Sequence, residues 1–337
     1  MALSPEFAQV LAHLKDAGQT LPALDLYAFS NLSQHELEAL EEAWPNVLPE
    51  RRVNLLHDLS EVGEANHEVN FDAVFRLALE DETAEARTTA IKGLWEAEDA
   101  ALIAPFLEIL QRDADVTARA AAASALGRYV YLGEAEEIPA KHLKRVEEAL
   151  LATINGTDDL EVRRRAVEAI AFSSRPEVPP LLEAAYASEH RLMKISAIFA
   201  MGRSADDRWN DQVIEELESE DPELRFEAVR AVGELELPSG VPTLIELADD
   251  DDVQVREAAI WSLGQVGGEQ ARAKLLDLLE EAADDERDFI EEALENLTFH
   301  DEMVNFSLLD VSDEDDDLDF LDDEDDDPVP PVHDRLN

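Results

Sequence analysis

The chain has 337 residues, with 80 acidic against 27 basic, a formal net charge of −53 and no cysteine. That charge has the wrong sign for binding nucleic-acid phosphates or anionic membrane surfaces, so neither partner is expected; it favours solubility and attracts cations. The absent cysteine excludes disulfides, thiolate metal sites and cysteine nucleophiles, and the low count of six Lys leaves a salt-rich habitat as an alternative source of the acidity.

In chain order, residues 1–30 predict a helical cap. Ser4-Pro5-Glu6 opens a helix whose stripe is Phe7, Val10, Leu11 and Leu14, and Gly18 closes it. A docking peptide for a partner is the alternative. The N-terminus has no basic start and no apolar run is long enough to cross a bilayer, so a cytoplasmic location is expected. Asn31-Leu32-Ser33 then caps a helix running to Trp44. Arg51 to Leu59 reads as a weak first unit, with Leu55, Leu56 and Leu59 facing inward.

From there one pattern recurs. A basic residue stands at Arg87, Arg119, Arg163, Lys194, Arg225, Arg256 and Arg287, at gaps of 32, 44, 31, 31, 31 and 31. A period of this size, each unit two helices long, predicts a helical repeat array. Three places on come Ala90, Ala122, Ala166, Ala197, Ala228, Ala259 and Ile290, and seven places on Leu94, Leu126, Ile170, Met201, Val232, Leu263 and Leu294. Columns four apart share one helical face, so these predict the core. Eight places on, Gly127, Gly202, Gly233 and Gly264 are expected to close the helices. The basic column reads as turn-to-helix pairing between neighbouring units, since a binding site would not recur in every unit. The 13-residue excess near Tyr129–Leu143 predicts an edge loop in which Tyr129 and Tyr131 either contact a partner or pack beneath it. Arg163-Arg164-Arg165, the densest basic cluster, reads as one structural Arg and two solvated ones, or else as a receiver for the acidic tail or a partner's carboxylates.

This pattern resembles the HEAT repeats, most closely the HEAT-like repeats first recognised in phycobilisome lyases. Val241 to Gly267, VPTLIELADDDDVQVREAAIWSLGQVG, carries the resemblance best, which extends over about residues 50–300. It implies an all-α right-handed solenoid of about eight antiparallel helix pairs over residues 31–300. Beyond it, residues 305–337 predict a disordered acidic tail: between Asp310 and Asp327, 13 of 18 residues are Asp or Glu. Leu318, Phe320 and Leu321 interrupt the acids as a candidate docking element.

No catalytic constellation is visible. The eight His form no His-x-x-x-His pair, and there is no phosphate loop, Gly-x-Ser-x-Gly elbow or calcium loop. Neither a metal site nor a cofactor is expected. The informative column lies five places after the basic residue, where Phe199, Arg230 and Trp261 replace the polar residues of most other units. With Ile195 and Phe226 on the same stripe, these five form a candidate partner-binding patch on the second helices, or else fill gaps between them.

The leading expectation is therefore a non-catalytic scaffold or adaptor. It grips a protein segment on the inner face, while its tail recruits basic partners or folds back so that Leu318, Phe320 and Leu321 cover Phe199 and Trp261. The alternative implied by the resemblance is a bilin (tetrapyrrole) lyase or lyase subunit. A third reading, from charge alone, is a chaperone of basic proteins or a nucleic-acid mimic.

Overall fold

A computed structural model describes residues 3–16, 21–283 and 286–299. The described residues are helices joined by turns, with no strand among them. A short N-terminal pair, α1 (Pro5–Lys15) and α2 (Ala23–Leu26), precedes eight antiparallel pairs. These are α3 (Gln34–Ala43) with α4 (Pro49–Ala65), α5 (Asp72–Ala78) with α6 (Ala84–Gly93), α7 (Ile103–Arg112) with α8 (Val116–Glu134), and α9 (Ala140–Ile154) with α10 (Leu160–Ala169). They continue as α11 (Val178–Tyr186) with α12 (Arg191–Arg203), α13 (Asn210–Glu216) with α14 (Pro222–Glu234), α15 (Val241–Leu247) with α16 (Val253–Val266), and α17 (Glu269–Glu281) with α18, residues 286–299. Each second helix packs on the second helix of the next unit, from α4 through α16. The result is an inner row of helices, and the candidate site is built on that row.

Local chemistry sets these elements. Acidic residues cap the inner helices: Asp115, Asp159, Asp221 and Asp252 each accept from main-chain N–H groups of the first turn. Each satisfies donors that a helix start leaves unpaired. Ser33 and Glu36 form a reciprocal capping box on α3. Gly267 and Gly268, at φ 72° and 90°, supply the left-handed turn between α16 and α17. At the front, Phe7 meets Phe29 edge-on at 5.8 Å, and Arg51 donates to the Leu14 and His13 carbonyls, both at 2.9 Å. The α1 segment thereby closes over the first pair.

The alanine and aliphatic columns are the core. Ala90, Ala122, Ala166, Ala197, Ala228 and Ala259 are completely buried, as are Leu126, Ile170, Met201, Val232 and Leu263. The basic column stitches consecutive turns together. Arg87 donates to its own turn at the Asp81 carbonyl, 2.7 Å, and to the next turn at Asp113, 2.6 Å. Arg119 does the same with the Asp113 carbonyl and Asp158, and Arg225 with the Ser219 carbonyl and Asp250. Arg52 is buried and bonded to Asp81, which places the weak first unit in register. Arg163 donates to the Ile154 carbonyl, while Arg164 and Arg165 both pair with Glu161 and Glu168, so the latter two are not simply solvated.

Two expectations are corrected. The 13-residue excess is not an edge loop: α8 is 19 residues long and α9 is 15, with only residues 135–139 between them. Tyr129 lies inside, donating to the Ala97 and Asp99 carbonyls at 3.2 Å, whereas Tyr131 is half-exposed. Nor do the glycines at the eighth place close helices in the left-handed conformation. Gly127, Gly202, Gly233 and Gly264 all lie within helices, where neighbouring inner helices touch. A Cβ on Gly202 would stand 2.7 Å from the Ala231 Cα, and one on Gly264 2.7 Å from the Ala293 carbonyl oxygen. Each glycine meets a small residue two places earlier in the next unit's frame, which sets how closely the units stack.

Candidate ligand groove

The inner row from α6 to α12 carries a groove made of two adjoining cavities of about 460 and 430 Å³. They share Ser124 and Arg128. Each falls within the roughly 300–1,000 Å³ usual for small-molecule sites. The groove exists because the inner face of α8 is cut back to Ala120, Ala121, Ser124 and Ala125, while larger residues rise on either side. From α6 come Ile91 and Lys92 and, just beyond its end, Leu94 and Trp95; from α10 comes Arg165. The second cavity continues past Tyr131 to Phe172, Phe199 and Arg203.

Aromatic faces and cations alternate along it. Tyr131 meets Phe172 edge-on at 5.1 Å, and the Arg203 guanidinium lies 4.9 Å from the Phe199 ring and 5.8 Å from that of Phe172. The Trp95 indole is 60% exposed, a large apolar surface left uncovered beside the cavity. Tyr129 forms part of the lining, and burial holds its phenol up at about 12, so it stays protonated. In a chain of net charge −53, Lys92, Arg128, Arg165 and Arg203 share the groove with Glu161 and Glu168, and Arg128, Arg165 and Arg203 are paired with Glu98, with Glu161 and Glu168, and with Glu234 respectively.

Among the described residues, two buried polar atoms on residues that line this groove have no partner. The Thr88 hydroxyl, on a residue more than nine-tenths buried, and the Arg128 Nε are both shielded from solvent and make no hydrogen bond. Unsatisfied buried donors are uncommon, because each forfeits the hydrogen bonds water would have given it. Arg128 is otherwise held by a 2.6 Å bond from its Nη2 to the exposed Glu98, and Arg165 faces both Glu161 and Glu168. Lys92 has no ion pair among the described residues. Further along the row, burial and the nearby Glu168, Glu234 and Glu223 push the Glu227 carboxyl up to about 7, against the opposing pull of Arg230.

The five residues expected to form a binding patch are distributed differently. Phe199 does line the groove. Ile195 does not reach the surface: it is buried at 5% exposure in the core, because its stripe turns toward neighbouring helices. Phe226 is half-buried against the core beneath Arg230, 5.8 Å away, and Arg230 is bonded to Glu234 at 3.1 Å. Trp261 is half-buried over Gly233, where a Cβ would come within 2.7 Å of its ring. Leu318, Phe320 and Leu321 lie outside the described residues. The sequence signal for the groove was the run of small residues Ala120 to Ala125 beside Trp95, not an excess of aromatics in one column. Among the described residues no group of three or more His, Asp or Glu side chains is placed to hold a metal ion, and no helix is long and apolar enough to cross a membrane.

Residues 210–295 match the family model for HEAT repeats. The bilin biosynthesis protein PecE of Nostoc sp. (strain PCC 7120) is 40% identical over 75 residues, which are 22% of this chain and 30% of that protein. The matched stretch thus spans less than a third of the relative's length. Among solved structures, the complex of CpcE and CpcF of phycocyanin lyase from Nostoc sp. PCC7120 aligns with 17% identity, covering 67% of this chain and 94% of that one, at a TM-score of 0.44. An Escherichia coli protein, YibA, aligns with 17% identity over 83% of this chain and 98% of its own, also at 0.44. The match to PecE corrects the expectation of a protein outside enzyme chemistry, since that relative, 40% identical over the matched stretch, is a protein of bilin biosynthesis.

Proposed function

We propose, for a chain that belongs to the HEAT-like repeat proteins and is related to a bilin biosynthesis protein, that it is a bilin lyase-like component. It holds a linear tetrapyrrole in the inner groove and presents it to an acceptor protein. The observation that carries the reading is the groove from Trp95 to Arg203, where aromatic faces, cations and two unpartnered polar atoms are gathered in an otherwise acidic molecule. A linear tetrapyrrole is flat, conjugated and acidic. Its rings stack on faces such as Trp95, Phe172 and Phe199, and its carboxylates need positive charge.

Without cysteine the chain cannot hold a bilin as a thioether, so its own hold on the pigment is non-covalent and the acceptor supplies any bonding thiol. The groove's task is to bind, orient and shield. Protein partners fit this reading, because the largely exposed Trp95 would leave that end of the pigment accessible.

The test is colour. Full-length protein co-expressed with a bilin pathway, or mixed with biliverdin, should elute with a visible absorption band that denaturant releases. A colourless protein under both conditions would sink the reading.

A further inference from the structure

The groove does not end at Trp95. Beyond it lies a third and larger cavity of about 680 Å³, which shares Lys92, Trp95 and Ala97 with the first. It is built on two packed inner helices, α4 and α6. His57, Glu61 and Glu64, at i, i+4 and i+7, form one stripe of α4 along it; Thr89 and Lys92 on α6, with Glu96 just beyond, line it from the neighbouring helix. Asp72, at the start of α5, lines it as well.

Its chemistry differs from that of the adjoining cavities. Glu61, Glu64, Asp72 and Glu96 share the chamber with a single ammonium, Lys92, and none of the four has an ion pair among the described residues. Burial pushes the Asp72 carboxyl up, and Asp99 and Glu96 add to that push against Arg76. Thr89 is only 6% exposed, yet its hydroxyl has no hydrogen-bond partner among the described residues and, unlike that of Thr88, is not sealed from solvent. The chamber is the cavity that Thr89 lines, so the hydroxyl is a free acceptor on its wall. The chamber is also kept open. A Cβ on Gly63 would meet only Phe71, at 3.8 Å, so packing does not demand this glycine and its missing side chain leaves room. Gly93 differs, since a Cβ there would strike the Phe75 ring at 2.5 Å. Unmatched carboxylates beside a largely exposed indole suit a cation carried on an apolar stem.

We propose that this chamber receives a lysine or arginine side chain from a segment of a partner protein: its head group donates to the carboxylates and to the Thr89 hydroxyl, and its stem lies against Trp95. A protein segment fits better than a free amine, because Glu61, Glu64, His67, Trp95 and Glu96 leave the rim exposed. Small molecules are held in sites that bury most of their surface, whereas an open bay is closed by the partner's own surface. The inference rests on this chamber alone and stands whether or not the adjoining cavity holds a tetrapyrrole.

The experiment measures, by fluorescence anisotropy on full-length protein, a dye-labelled glycine–serine peptide carrying two arginines, and its counterpart with citrulline in place of arginine. Salt is held at about 150 mM, which screens the chain's overall field beyond about 8 Å. The citrulline peptide should bind about tenfold more weakly, and E61Q/E64Q should weaken the arginine peptide about tenfold, as expected where two ion pairs are lost. E280Q/E281Q makes the same charge change on exposed residues of α17 and should alter binding less than about twofold. Gly63→Gln fills the chamber without removing charge; it should keep the melting temperature and still weaken the arginine peptide about tenfold. Equal losses in the two double variants would show that the peptide answers only to overall charge and would overturn the proposal. So would wild-type binding by Gly63→Gln, equal affinity for the citrulline peptide, or no binding of the arginine peptide. Displacement of the peptide by an equal concentration of spermidine would give the chamber to a free amine and overturn the partner assignment.

Discussion

Ser262 donates to the main-chain carbonyl of Val229 at 2.8 Å, across the seam between α16 and α14, in a spot where neither residue sees solvent. That bond is possible because Gly233 lets the helices close: a Cβ there would lie 2.7 Å from both the Ser262 hydroxyl and the Trp261 ring. Helix propensity alone says that Gly233→Ala should stabilise by about 1 kcal/mol. The seam says the opposite. We expect Gly233→Ala to destabilise by about 1–3 kcal/mol through overpacking, and Ser262→Ala by about 1 kcal/mol. Chemical denaturation decides it, and a stabilised Gly233→Ala would show that the seam is loose.

The basic column makes a prediction about acid. Arg119 holds the Asp158 carboxyl below the usual carboxylate range through its hydrogen bond. Burial pushes Asp113 and Asp250 up, but Arg87 and Arg225, with main-chain donors, outweigh it and leave both lowered. A lowered carboxyl contributes stability above its unfolded value, near 4, and loses it as pH falls through the folded value. Stability should therefore drop steeply below about pH 4. Arg225→Met strands the part-buried Asp250 and should cost about 3 kcal/mol at neutral pH. Its pH–stability curve should also be flatter in acid than the wild type's. Parallel curves would mean that the pair does not govern acid unfolding.

Glu227 titrates in the other direction. Its folded value, about 7, lies above the ordinary 4.5, so the folded protein holds an extra proton between those limits. Stability then falls as pH rises through that window, by about 2–3 kcal/mol in all. The informative quantity is the difference between wild type and Glu227→Gln, measured from about pH 4.5 to 7.5. That difference should grow with pH in favour of the Gln variant. A difference constant across the window would mean that Glu227 ionises normally.

The repeat was legible because burial repeats it. An alanine that must lie against a neighbouring helix recurs at Ala166, Ala197, Ala228 and Ala259, and a basic residue three places before it, at Arg163, Lys194, Arg225 and Arg256, recurs with it. The function of Gly233 was not legible in the same way, since a glycine close to a helix end reads as a stop signal until the neighbouring helix is in place. The groove was harder still. Ile195 and Phe199 sit one turn apart on one helix, yet one is in the core and the other in a cavity wall. Only the rotation of α12 against α10 and α14 distinguishes them. A cavity arises from what is missing, namely the side chains that Ala121, Ser124 and Ala125 lack, and periodicity records what is present.

The groove and the patch expected from the aromatic column can be separated by two variants. Trp95 is largely exposed and spans no seam, so Trp95→Ala should leave the melting temperature within about a degree, while losing a stacking face for the ligand. Trp261 packs over Gly233 at the junction of α14 and α16, so Trp261→Ala opens a void there and should destabilise by about 2–4 kcal/mol. Co-expressed with a bilin pathway, the Trp261 variant should keep its colour per folded molecule, and the Trp95 variant should lose most of it. The reverse pattern, colour retained without Trp95 and lost without Trp261, would place the ligand further along the row. The binding role would then pass from the cavity between α6 and α10 to the aromatic column at Phe199, Phe226 and Trp261.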